Sequence, residues 1–159
     1  MAKAKKTNAM RILDQNDIDY SIFNYDKNDG KIDGISVAAK IGKDPKHVYK
    51  TLVVQGNSKN IYVFVIPVAE ELDLKKAARV SGEKKVELIP VKEILKVTGY
   101  IRGGCSPIGM KKSYKTFIDI SAGEIHEIIV SAGKIGAQME LRVRDLINII
   151  EGQLEDIIK

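Results

Sequence analysis

The 159 residues carry 26 lysines and arginines against 21 aspartates and glutamates, a net charge of +5, with 44% hydrophobic and 30% charged residues. A chain of this length is expected to fold as one domain, residues 1–159, with a real core. No window approaches the ~18 apolar residues of a membrane span, and the basic start MAKAKKTNAM lacks the apolar stretch of a secretion signal. The one cysteine, Cys105, excludes an internal disulfide and fits a reducing compartment, so the expected location is the cytoplasm.

Thr7 can cap a helix over 8–16 with Ala9, Ile12 and Leu13 on one side. DYSIFNY (19–25) alternates as a strand, and NDGKIDG (28–34) is turn chemistry, read as an exposed, mobile loop. ISVAAKIG gives a short helix stopped at Gly42. Asp44 caps a turn that starts at Pro45. Strands follow at Tyr49–Gln55 and Ile61–Ile66, joined by the hairpin-like GNSKN. Asp73 can cap a helix of Leu74–Val80 closed by Gly82, with Leu74, Ala77 and Ala78 facing inward. KKVELI reads as a short strand, and Pro90 opens a helix ending before Gly99. Strands are expected near 115–120, 126–131 and 138–143, then a helix over 144–150 offering Leu146, Ile147 and Ile150 to the core, and a last turn. The pattern is that of a mixed α/β domain with no repeat and no linker.

The stretch HVYKTLVV (47–54) poses a question, because alternation puts Lys50 on the same side as Val48, Leu52 and Val54. Its ammonium either escapes to water at the strand end or lines a cavity that wants a positive charge. Basic residues also cluster at Lys3, Lys5 and Lys6, at Lys75, Lys76 and Arg79, at Lys84 and Lys85, and at Lys111, Lys112 and Lys115. Such clusters permit a polyanionic partner, and they equally describe a solvated lysine-rich surface.

Standard catalytic sets are missing. His47 and His126 lack metal-ligand spacing, and one cysteine cannot complete a zinc set, so no metal or cofactor is expected. GCSPIGMK (104–111) resembles a phosphate-binding loop but has Met110 where the lysine belongs. Cys105 reads as a small buried thiol. Gly103 and Gly104 let backbone amides approach a ligand, and VSAGKIG (130–136) brings Ser131 to the end of a strand. Both loops could be ordinary turns. If they converge on Lys50, they ring a cationic pocket with donors suited to an ester that develops negative charge.

VYKTLVV, PVAEELDLKKAARVSGEKKVEL, TGYIRGGCSPIGMKK and IIVSAGKIGAQMEL together resemble the YbaK/EbsC family of bacterial Cys-tRNA(Pro) deacylases, with matches in order from about residue 9 to 155. The resemblance implies a compact α/β domain whose mixed, barrel-like central sheet is surrounded by helices. It implies clearance of cysteine from proline tRNA in trans, with prolyl-tRNA synthetase as a transient partner. In the family's mechanism the substrate's own thiol attacks its ester and leaves as a thiolactone. The family's lysine falls on Lys50, its threonine on Thr51, its tyrosine on Tyr25, its loop glycine on Gly103 and its late serine on Ser131. Gln138 stands where the family has an acidic residue, which removes a charge near the pocket.

On this reading Lys50 orients the ester and stabilises developing charge. Amides around Gly103 and Gly104 hold the carbonyl, and Ser131 and Tyr25 place the amino group or ribose or serve only as framework. Thr51 points to the opposite face of a regular strand. Lys75, Lys76 and Arg79 are candidate tRNA contacts. Two alternatives stand beside it: an Ala-tRNA(Pro) deacylase using water, and a non-catalytic tRNA- or synthetase-binding or regulatory module. No helix-turn-helix pattern is present, and neither DNA nor membrane is an expected partner.

Overall fold

Two sheets carry the fold of residues 6–159, which the computed structural model describes. Lys3 and Lys5 of the N-terminal basic cluster lie outside the described residues. Helix α1 (Asn8–Gln15) starts at Thr7, whose hydroxyl accepts the Met10 N–H and donates to the Ala132 carbonyl, so the cap also fastens the helix to a strand. Strand β1 (Ser21–Asn24) follows, then an exposed loop and helix α2 (Gly34–Lys40), capped by Asp33. The loop is exposed as expected, but it is tied down. Lys40 Nζ donates to the carbonyls of Asp26 (2.6 Å) and Lys31 (2.9 Å) and pairs with the Asp29 carboxylate (2.8 Å).

After a 3-10 turn at Pro45–His47 come β2 (Tyr49–Gly56) and β3 (Ile61–Pro67), paired antiparallel. Helix α3 (Leu74–Ser81) has Asp73 accepting the Lys75 and Lys76 N–H groups and Gly82 closing it in the left-handed region. Strand β4 (Val86–Leu88) precedes a 3-10 turn and helix α4 (Ile94–Thr98), so the segment opened by Pro90 coils less regularly than expected. Strands β5 (Lys115–Asp119), β6 (Glu127–Lys134) and β7 (Ala137–Arg142), helix α5 (Val143–Ile150) and strand β8 (Gln153–Glu155) complete the chain. The expected terminal turn is thus a strand, which adds in parallel to β5.

The smaller sheet, β1-β7-β6, is antiparallel; the larger, β4-β2-β3-β5-β8, is mixed. Strand β3 is central to it, and its run IYVFVI is buried on both faces, which explains an unbroken apolar sequence. Val63 and Val65 face a core shared with the smaller sheet and α1, while Phe64 and Ile66 face one closed by α3. Phe64 stacks on Phe117 of β5 with ring centroids 5.2 Å apart. Leu74, expected inside, is 43% exposed, because the inward face of α3 is taken by Ala77 and Ala78.

The two sheets meet at one corner. Val48 forms a parallel bridge with Ile129 of β6, and its carbonyl accepts the Val68 N–H at 2.9 Å. These residues and Ala38 of α2 form a small buried cluster of their own. Truncating the central stack should unfold the chain more readily than trimming its surface. Phe64→Ala is expected to cost about 3–5 kcal/mol, and Leu88→Ala, at 54% exposure, less than about 0.5 kcal/mol. Urea titration of the two variants against wild type checks the difference.

Candidate functional site

In a parallel pairing, residues two beyond a bridged pair stand side by side again on the same face. Two beyond Val48 is Lys50, and two beyond Ile129 is Ser131. The strands do not pair past the single bridge, and the gap between them is a cavity of about 260 Å³. Lys50, Thr51, Gly103 and Ser131 all line it. Because the cavity opens between the sheets, it reaches both Lys50 and Thr51, which alternation had placed on opposite faces of β2. Thr51 Oγ1 is buried there without a hydrogen-bond partner among the described residues.

Gln138 stands directly across the strand pair from Ser131 and also lines the cavity, only 7% exposed. Arg102 and Cys105 complete the polar lining, against apolar walls from Ile32, Val37, Val48 and Val68. Lys50 and Arg102 are the charged residues of the lining, and no carboxylate joins them. Neither is engaged in an ion pair among the described residues. The cavity is therefore a cationic hollow with neutral donors, suited to an ester carbonyl or another group that gains negative charge.

Two expected members stand apart from this lining. Gly104 is buried, and its N–H is spent on the Ile101 carbonyl (3.0 Å), closing a turn whose third residue is Gly103. Gly103 has φ +86°, which a type II turn demands of that position. A side chain on Gly104 would meet the backbone of Lys134 and Ile135 at 2.9 Å, so this glycine sets the seating of the loop against the β6–β7 turn. Tyr25 packs behind that turn, its N–H donating to the Gly136 carbonyl (3.0 Å) and its hydroxyl buried without a partner among the described residues.

Lys76 is committed elsewhere. Its ammonium holds Asp156 (3.0 Å) and the Ile158 carbonyl (2.8 Å), tying α3 to the C-terminal segment. Lys75 and Arg79 remain exposed on α3. His47 and His126 are exposed, and no cluster of three or more His, Cys, Asp or Glu among the described residues could hold a metal ion. A wider hollow of about 600 Å³ lies between α1, the loop 107–116 and the end of α5, but it contains none of these candidate residues.

Burial pushes the Cys105 thiol up to about 11, so it is neutral at physiological pH and a poor nucleophile. Arg102, Cys105 and the loop clamp Lys40 were not identified as site residues from sequence. Arg102 carries a readable signal in its place before a glycine pair; Lys40 carries none, because its partners lie 9 to 14 residues away in an irregular loop.

Residues 33–149 match the family of aminoacyl-tRNA editing domains. The chain belongs to that family. The editing domain is 44% identical over 160 residues, 99% of this chain and 98% of the relative, to EbsC of Enterococcus faecalis, named as a candidate Cys-tRNA(Pro)/Cys-tRNA(Cys) deacylase. Its fold matches a crystal structure described as a candidate trans-editing enzyme for prolyl tRNA synthetase, with TM-score 0.84, 20% identity and coverage of 98% and 99% of the two chains. A crystal structure described as that of a hypothetical protein shares the fold at TM-score 0.87, 20% identity and coverage of 96% and 100%.

The editing domain's thiol provides a check on the burial of the cavity wall. At pH 8 Cys105 should react with iodoacetamide at least about tenfold more slowly than a free cysteine of pKa about 8.5, and the rate should climb up to pH 11. A plateau near pH 8.5 would place the thiol in water.

Proposed function

We propose that this editing domain removes cysteine from tRNA(Pro) in trans, by attack of the substrate thiol on its own ester carbonyl beside Lys50. The observation that carries the reading is the composition of the cavity. It gathers a lysine, a turn glycine, a serine and a glutamine, but no activated nucleophile of its own. Ser131 Oγ accepts the Gly133 N–H (3.2 Å) and has no histidine beside it, while Cys105 is held neutral. A substrate that brings its own sulfur needs only a held carbonyl and a stabilising charge.

In this reaction the sulfur bonds to the carbonyl carbon, the ester C–O bond breaks, and the thiol proton passes to the departing ribose oxygen. Lys50 favours the thiolate and offsets the negative charge that builds on the carbonyl. The Gly103 edge of the loop and Ser131 orient the ester, and Gln138 offers an amide where a carboxylate would have fixed an ammonium. Tyr25 acts from behind the β6–β7 turn by supporting it. Prolyl-tRNA synthetase is the transient partner in this reading, and the cytoplasm the place of action. The exposed apolar residues Leu88, Val91 and Leu95, each at 54% exposure, give a protein contact a surface to use.

Deacylation of Cys-tRNA(Pro), Ala-tRNA(Pro) and Ser-tRNA(Pro) in parallel tests the reading. Cysteine should be lost selectively, and Lys50→Ala should lower kcat/KM at least about a hundredfold. Release of alanine with Cys-tRNA(Pro) untouched would replace the substrate and bring in water as nucleophile. Retention of all three aminoacyl groups with tRNA still bound would make the chain a binding module.

A further inference from the structure

Arg102 has no part in the reaction above, yet it lines the same cavity. It is exposed, and no ion pair among the described residues engages it. Its backbone is held firmly. It is the second residue of the Ile101–Gly104 turn, and a side chain on Gly103 would meet Ile32 Cδ1 at 3.1 Å and Ile135 Cγ1 at 3.4 Å. The turn is thus wedged between the loop before α2 and the β6–β7 turn. The held backbone keeps the root of the Arg102 side chain at the cavity rim.

The placement of the two cations differs. Lys50 lies half-buried at the start of β2, where an acyl group would sit, and Arg102 stands at the exposed rim. One cation answers the charge that develops on the carbonyl. A second, with no carboxylate to neutralise it, calls for a second anion on the alcohol side of the ester. Guanidinium matches phosphate oxygens through paired N–H donors, better than a lysine would.

We propose that Arg102 binds the phosphodiester of the 3′-terminal nucleotide to which the amino acid is esterified, with Ile32 as an apolar wall beside it. This rests on the deacylase reading and extends it. Arg102 thereby adds to the site a contact that a simple aminoacyl ester could not use.

The test uses a short RNA ending in CCA with cysteine joined to its terminal ribose through an amide, which the protein cannot deacylate. Wild type, Arg102→Ala and Arg102→Lys are titrated with it across a range of salt. Arg102→Ala should weaken binding about tenfold and reduce the slope of log K against log salt by about 0.7. Arg102→Lys should restore part of the slope but less of the affinity. In deacylation of the tRNA ester, Arg102→Ala should raise KM while kcat stays within about twofold. Equal affinity and slope for wild type and Arg102→Ala, or no binding by wild type, overturns the subsite. A wild type that binds the probe through Arg102 but deacylates nothing overturns the proposed reaction and leaves the subsite standing.

Discussion

The single parallel bridge between Val48 and Ile129 is the constraint on which the site depends. It joins the mixed sheet to the antiparallel one, and the Val68 N–H locks the Val48 carbonyl from the other side. Val48, Val68, Ile129 and Ala38 bury this corner in a cluster separate from the two larger cores. Two residues on, the strands have parted, and Lys50 and Ser131 face each other across the opening. A polar cavity could not open through the middle of either core without orphaning ladder hydrogen bonds. At a junction between sheets those bonds are already absent, so the gap costs little.

The proposed chemistry follows from what that gap contains. A free cysteine thiol is only a few per cent thiolate at neutral pH, a handicap of about 2 kcal/mol against full ionisation. A nearby ammonium reduces it. Holding the nucleophile beside its carbonyl removes the entropy cost of a bimolecular encounter, and the strain of closing a four-membered ring opposes that gain. In the proposed reaction, placing the sulfur and the ester is then the task of the cavity, ahead of generating a base. That ordering accounts for a site with cations and neutral donors and with its own thiol kept neutral. In the proposed reaction it also gives Gln138 a role, since an amide opposite Ser131 would orient a substrate without pinning an ammonium.

Much of the local structure was legible because its causes are local. Thr7, Asp44 and Asp73 each cap the segment that follows, and the apolar run from Ile61 to Ile66 reads as a strand; the Asp33 cap of α2 is a feature that the turn-rich sequence around it concealed. Lys50 was legible as an anomaly, a charge in an apolar register, and family resemblance gave it company. What could not be read was which elements meet. Whether Lys50 reaches water or a cavity depends on a bridge between residues 81 positions apart in sequence. Lys76 looked like its neighbours on α3 until the C-terminal segment brought Asp156 to it. Gly104 looked like a second amide donor beside Gly103, but the turn consumes its N–H and the β6–β7 turn leaves no room above it. Strand β8 is three residues long and forms only because β5 presents an open edge.

The central claim is that the substrate supplies the nucleophile, and the most direct measurement removes only that atom's reactivity. Single-turnover deacylation of tRNA(Pro) carrying S-methylcysteine, beside cysteine, keeps the bulk of the side chain and blocks the sulfur. The account predicts that the methylated ester is bound but not cleaved above the rate without protein, while the cysteinyl ester is cleared and yields a trappable thiolactone. Cleavage of both esters at similar rates would contradict it, and would assign the attack to water held in the same cavity.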